Sequence, residues 1–518
     1  MTLDGFRVQP RNNKGCSSNA SHRRYNRIGS APFRRLSSLS SSSALEEQTL
    51  SRVSLPVKRV GFQYWWCRVQ QSALLYGVLA TGIRVGANIV LLPLVLSRLS
   101  QSELALWWVF LALGAFANLA DFGFGQAITR VYGYLWAGAE DFDAEGLRSP
   151  PETGTPNLPR IRQLNRIVHY LYWRLSIAAT LLLGVGGTIF LLKPMRTFEQ
   201  PVHGWFAWAA FLVIIGYSLG TSHWALACQG INRVRELQGT YLWSGLAYVA
   251  TTAAMLLLGL GLPAVVIGTA TKAAVARFFN FRTYRKAVPE TGGDVVDLSI
   301  LARLWPNARK FGVIAVGSYL ISNGNVLICS QFLGNAVTAS FGLTVQVGSF
   351  LMNFAALWLA VKWPLITILR TQGRLEEMAI LFARRLALAV ASFLVMAVVL
   401  VLAGTQLLEW KGSETRLLST PQLIVYLFYL AQQLVYVQFG ILTFTENIVP
   451  FFKISLLTGV GLICLSLLLT PGWGVWGLLV APLIAEFSCS TWYPVIRGFR
   501  GQPLSPRQFI KAAVFGRL

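Results

Sequence analysis

Between residues 73 and 493 the chain repeats one pattern: an apolar stretch followed by a short break rich in basic residues, glycine or proline. Each stretch is long enough to cross a hydrocarbon layer of roughly 30 Å at about 1.5 Å per residue. A first set covers 73–96, 103–119, 167–192, 204–228, 238–259 and 262–281. A second covers 311–332, 337–364, 380–408, 421–445, 450–469 and 475–493. Inside lipid every backbone N–H and C=O must be satisfied within the segment, so stretches of this length fold as helices. The fold class is therefore all-α and polytopic, with about twelve transmembrane helices. Composition agrees: 54% of the 518 residues are hydrophobic and 13% charged, against roughly 25% charged in an ordinary soluble protein.

The net charge of +24 raises the question of nucleic acid, and the placement of the 45 basic residues answers it. Twelve lie in residues 1–72, and 24 fall in alternate loops and the C-terminal tail. Five occupy the opposite loops (Arg98, Lys193, Arg196, Lys411, Arg416), and four lie in apolar stretches. That asymmetry is the positive-inside pattern; it implies cytoplasmic termini and an even number of spans, and no nucleic-acid partner.

Residues 1–72 are Ser- and Arg-rich, including the run SSLSSSS at 37–43, and are expected to be disordered. This composition suits an organellar transit peptide and equally suits sequence read from too early a start codon. The remaining divisions are 73–290 as a first lobe, 291–497 as a second and 498–518 as a cytoplasmic tail. The six cysteines show no metal-ligand spacing. No P-loop, paired carboxylates or nucleophile motif is present, so neither a cofactor nor an enzymatic activity is expected.

An internal repeat appears at a constant offset of 235 residues. Tyr76, Gly77, Val78, Leu79, Ala80, Gly82 and Asn88 fall on Phe311, Gly312, Val313, Ile314, Ala315, Gly317 and Asn323. An offset of six helices gives two parallel repeats about an axis along the membrane normal, an arrangement that places a cavity between them.

Charge inside a membrane is costly, about 2.5–3.5 kcal/mol for Arg or Lys at a helix centre, and so marks function. Arg84 shares a small polar face with Gly77, Thr81 and Asn88, and Lys272 lies near mid-depth of the sixth stretch. Arg174 and Lys362 lie nearer the cytoplasmic ends, where snorkelling is the competing reading. Asn323 belongs to a polar strip on the seventh stretch. A cavity lined by such cations concentrates an anionic group. Asp121 opens DFGFGQAITR, where Gly123 and Gly125 loosen the helix at its cytoplasmic exit. An Asp121 to Arg130 contact there is a candidate gate. Glu486 and His223 are candidate coupling groups by residue type.

The segment ATGIRVGANIVLLPLVLSRLSQSELALWWVFLALGAFANLADFGFGQAITRVYGYL, with LS-x-x-E at 99–103 and the exit DFGFG before Arg130, resembles polysaccharide-biosynthesis exporters. These are the O-antigen flippase type of the multidrug/oligosaccharidyl-lipid/polysaccharide superfamily. A weaker echo, QFLGNAVTASFGLTVQV, opens the second half. The resemblance implies two six-helix lobes around a lumen open alternately to either side, flipping a polyprenyl-linked oligosaccharide in a bacterial inner membrane. With no P-loop, drive is expected from an H+ or Na+ gradient or from the substrate gradient, and polysaccharide assembly proteins are further candidate partners. The rival readings are an ion-coupled drug antiporter of the same fold and a non-transporting component of an assembly complex.

Overall fold

The computed structural model describes residues 91–139, 155–289, 299–410, 413–446 and 451–515, all within one compact unit spanning 62–518. The N-terminal tail and most of the first span, including Arg84 and Asn88, lie outside the described residues. Among the described residues there is no strand, and eleven helices are long and apolar enough to cross a membrane.

The described chain opens in a helix, α1 (91–98). The first six-helix set continues with α2 (Gln101–Ala117), α3 (Phe124–Trp136), α4 (Leu158–Arg196), α5 (Pro201–Thr221), α6 (His223–Gly230), α7 (Val234–Leu257) and α8 (Leu262–Ala287). The second holds α9 (Ser299–Phe332), α10 (Gly334–Ala360), α11 (Trp363–Thr371), α12 (Leu375–Trp410), α13 (Thr420–Phe444), α14 (Phe452–Trp473), α15 (Val475–Ala485) and α16 (Trp492–Arg500). A last helix, α17 (Pro506–Phe515), follows the final span.

Several helices outrun their apolar stretches. The 39 residues of α4 follow a cap at Asn157, whose side chain accepts the Arg160 N–H at 3.3 Å. At about 1.5 Å per residue it reaches about 58 Å, well beyond a hydrocarbon layer. The surplus is its basic first turns, with Arg160, Arg162 and Arg166. Other spans break. Between α5 and α6 the hydroxyls of Thr221 and Ser222 bond back to Tyr217 O and Leu219 O, both at 2.8 Å, a pattern that bends helices. Pro364, which lacks an N–H, follows the break between α10 and α11. Beyond Pro482 the last span widens into a π turn over Glu486–Ser490.

The LS-x-x-E segment is a helix-start device. Ser100 N–H donates to Glu103 Oε2 at 2.9 Å and Glu103 N–H to Ser100 Oγ at 3.2 Å, the reciprocal pair of a capping box. The other carboxylate oxygen accepts the Leu262 N–H at 2.8 Å, so one side chain caps both α2 and α8. Gly261, beside it, has φ 59° and ψ −136°. Gly474, before α15, has φ 57° and ψ −131°. Backbone of this kind is open almost solely to glycine. The same turn thus joins the last two spans of each half, an echo of the repeat that the constant offset of 235 does not reach.

That offset has its own structural counterpart. Gln101 Nε2 donates to Ala336 O at 3.5 Å, and these positions stand 235 apart. A residue meets its own equivalent only beside the axis relating the two halves. Below this point α2 lies on α10, with the Trp108 side chain filling the space a Cβ on Gly342 would need.

Candidate functional site

The DFGFG exit forms a joint between the halves. The chain leaves α2 through a 3-10 turn, Asn118–Asp121, and then places two consecutive residues in the left-handed region, Phe122 (φ 44°) and Gly123 (φ 75°). For a residue with a Cβ this costs roughly 1–2 kcal/mol. Phe122 offsets part of it by stacking on Trp305 of α9, with centroids 6.1 Å apart and planes within 13°. Gly123 is required by proximity as well as by φ: a Cβ there would sit 2.6 Å from Ala308 O and 2.9 Å from Gly312 N. Gly312 reciprocates, since its Cβ would lie 2.6 Å from Phe122 Cδ1. Farther along the same antiparallel contact Tyr319 Oη donates to Ala112 O at 3.1 Å.

Asp121 does not reach Arg130. Its carboxylate accepts the Gly125 N–H at 3.1 Å and the hydroxyl of Tyr172 on α4, so it caps α3 and ties it to the third span. The left-handed pair turns the chain between the two residues. Arg130 is exposed, with its guanidinium over the Phe311 ring at 5.9 Å. The gate contact expected from the sequence is thus replaced by an aromatic and glycine contact to α9.

At the opposite end the halves meet through hydrogen bonds. Gln331 Nε2 donates to Phe190 O at 2.9 Å, and Asn335 Nδ2 to Thr197 Oγ1 at 2.9 Å and Pro194 O at 3.2 Å. Lys193 Nζ donates to Gln331 O. Contacts between the halves therefore exist at both ends.

Between them lies a cavity of about 230 Å³, walled by α1, α2, α7, α8 and α10 through Val95, Trp107, Trp108, Tyr248, Lys272 and Gln346. Lys272 Nζ stands 5.7 Å from the Tyr248 ring centroid, a cation–π distance. Trp108, on the same wall, has a buried indole N–H with no partner among the described residues. A second cavity of about 480 Å³ shares Leu111 and Thr269 with the first, and Asp121, Tyr172, Ser218 and Ser222 line it. A third, of about 100 Å³, belongs to the second half and is lined by Ser322, Asn325, Ser349, Tyr429 and Gln433.

The other sequence candidates scatter. Arg174 is exposed and stacks on Tyr170, 4.2 Å from its centroid, away from all three cavities. Lys362 is half-buried at the break before α11. Asn323 is half-buried and makes no hydrogen bond among the described residues. Its neighbour Asn325 does, donating to Leu478 O and accepting from Ser466 Oγ, both at 2.8 Å, which binds α9 to α14 and α15. Two constellations had no sequence signal beyond single residues. Glu486, fully buried at the π turn, accepts from Tyr429 Oη at 3.1 Å and Gln433 Nε2 at 3.3 Å, with the Tyr436 hydroxyl also beside its carboxylate. His223, also fully buried, holds Gly220 O at 2.8 Å through Nδ1 and faces His169 Nδ1 at 3.2 Å through Nε2. No group of three or more His, Cys, Asp or Glu placed to hold a metal occurs among the described residues.

No family model and no curated protein matches the chain. Solved structures do. The chain superposes on "Lipid II flippase MurJ, inward closed conformation" with a TM-score of 0.56 at 12% identity, covering 85% of this chain and 89% of that one. The MATE multidrug transporter DinF-BH gives 0.59 at 13% identity, covering 86% and 96%. An inward-facing multidrug resistance MATE transporter of the MOP superfamily gives 0.53 at 14%, covering 85% and 95%. The chain has their fold. At these identities the likeness speaks for architecture: a multi-pass membrane protein with the two-repeat, twelve-helix arrangement.

Proposed function

We propose that this protein moves a lipid-linked sugar precursor, a polyprenyl pyrophosphate carrying an oligosaccharide, across a bacterial inner membrane by alternating access. The observation carrying this reading is the cavity in the first half that Gln346 of the second half closes, where Lys272 and the Trp108 N–H, which has no partner among the described residues, present donors to an anion. In a low-dielectric wall such donors favour a pyrophosphate far more than they would in water. Lys272 holds the headgroup, with Lys362 and Asn323 as secondary candidates; Arg84 and Asn88, the remaining sequence candidates, lie outside the described residues, and Arg174, stacked on Tyr170, takes no part. The Asp121–Gly125 turn and Arg130 form the cytoplasmic mouth. Residues 73–290 and 291–497 act as the rocking lobes, with the polyprenyl tail left in lipid. H+ or Na+ supplies the drive, and Glu486, buried without a cationic partner among the described residues, is the group that senses it.

The test is reconstitution into liposomes with a fluorescent polyprenyl diphosphate sugar. Lys272→Ala should abolish its translocation while Lys272→Arg retains it; translocation at the wild-type rate by Lys272→Ala refutes the assignment. A second reading, an ion-coupled drug antiporter, draws on Asp121, a carboxylate lining the larger cavity. Uptake of a cationic dye by the same liposomes, lost in Asp121→Asn, would favour it. Failure to move either substrate would leave a non-transporting component of a polysaccharide assembly complex.

A further inference from the structure

The last helix has two apolar flanks, and the protein covers one of them. Ser505 N–H donates to Gln508 Oε1 at 2.9 Å and Gln508 N–H to Ser505 Oγ at 3.3 Å, a capping box that starts α17 with Pro506 at its first position. Phe509 and Ala512 are buried. The Phe509 ring lies 5.1 Å from Phe499, 5.9 Å from Phe439 and 6.1 Å from Phe382, which docks α17 on α12, α13 and α16. At about 100° per residue the next strip round the helix is Pro506, Ile510 and Val514, and beyond it Arg507 and Lys511. Ile510 is 65% exposed and Val514 69%. Aliphatic side chains bordered on one side by the bundle and on the other by two cations are the arrangement of an interfacial helix.

Its height along the bundle fits. Phe382 precedes Arg384 and Arg385 on α12, and the apolar run begins at Leu386, about 6 Å farther along the axis. The docking site of α17 is therefore at the headgroup level, where side chains directed inward reach the acyl boundary and long basic ones reach phosphates. Toward the far end of α12 the lipid-facing surface continues through Val395, Val398 and Leu402, all more than half exposed.

We propose that α17 lies in the cytoplasmic leaflet, with Ile510 and Val514 among acyl chains and Arg507 and Lys511 on the headgroups of anionic lipids. Each basic residue near an anionic surface adds attraction that zwitterionic lipid does not supply. The proposal is independent of what the cavity carries.

The experiment uses the full chain in nanodiscs of phosphatidylcholine alone or mixed with phosphatidylglycerol. Nitroxides are placed at Val514→Cys and Lys511→Cys in a background cleared of other cysteines. Oxygen should collide with the label at 514 several-fold more, relative to a polar nickel reagent, than with the label at 511. Equal polar-reagent access at both positions overturns the proposal and points instead to a soluble protein partner. With unmodified protein, hydrogen exchange across 503–515 should slow on adding phosphatidylglycerol, and Arg507→Glu with Lys511→Glu should abolish that slowing. Exchange that ignores lipid charge would also overturn it.

Discussion

Gly123→Ala is the sharpest perturbation of the joint between the halves. Two penalties arise at this one position, and they differ in which conformations feel them. The first is the left-handed backbone, φ 75°, which costs alanine roughly 1–2 kcal/mol wherever the turn persists. The second is overlap, because the new methyl would stand 2.6 Å from Ala308 O and 2.9 Å from Gly312 N. Both obstacles are backbone atoms of α9 and cannot swing aside, so the overlap belongs in the range of about 1–3 kcal/mol found for overpacked interiors. Only the docked arrangement of α2 and α9 feels it. If the joint opens during the transport cycle, the closed state loses that energy relative to the open one, a shift of about 5- to 150-fold. Ala308, fully buried beneath the turn, reports the opening once replaced by cysteine. Labelling of Ala308→Cys by a membrane-impermeant maleimide should accelerate within that range when Gly123→Ala is added. An unchanged rate in a variant that still elutes as folded protein would show that the contact does not open, and the gating role would fall.

Glu103→Ala leaves the Ser100 and Leu262 N–H groups without their acceptor and should lower thermal stability in detergent by the equivalent of about 1–3 kcal/mol. Tyr172→Phe removes the hydroxyl donated to Asp121 and should destabilise by about 1.5–3 kcal/mol, the worth of a hydrogen bond to a charged group, read from the same melting curve. Glu446 joins Arg370 at 2.7 Å and Arg497 at 3.7 Å. Because this cluster is only partly exposed, Glu446→Gln should lower Tm measurably and more so at low salt. Glu486→Gln retains the shape and the bonds from Tyr429 and Gln433 while removing the carboxylate oxygen pair that can take up or release a proton or hold a cation. Translocation by this variant should no longer respond to an imposed H+ or Na+ gradient.

Spans were legible because the hydrocarbon thickness imposes itself on hydropathy, and the described helices coincide with eleven of the expected stretches. Their extensions were not. The turns at 158–166, 282–287 and 299–310 are basic helix outside the apolar layer, where hydropathy carries no signal. The capping half of LS-x-x-E is a local pattern, but its bond to Leu262 spans 159 residues and leaves no trace in either segment. The loosened exit at DFGFG was visible from its two glycines, yet the neighbours of Gly123 on α9 lie more than 180 residues away. The nine-residue spacing of Asp121 and Arg130 suggested a pair because the two left-handed residues between them could not be seen. Arg174 shows the limit of reading depth from position, since its guanidinium rests on Tyr170 rather than in a cavity.

The polar bonds also say which parts move as units. Inside the first half Tyr132 bonds Asn165 and Glu103 joins two helix starts, while inside the second Asn325 links α9 to α14 and α15. These groups are buried or partly buried, and separating them would leave polar atoms unpaired at about 1–3 kcal/mol each. Contacts between the halves include stacked rings at Phe122 and Trp305, worth about 0.5–1.5 kcal/mol beyond their area, and exposed or part-buried hydrogen bonds at Gln101, Tyr319, Gln331 and Asn335. Breaking the second kind leaves groups that water can satisfy. If the proposed rocking occurs, the motion that separates the fewest buried polar pairs keeps each six-helix set together and opens the contacts between them at one end.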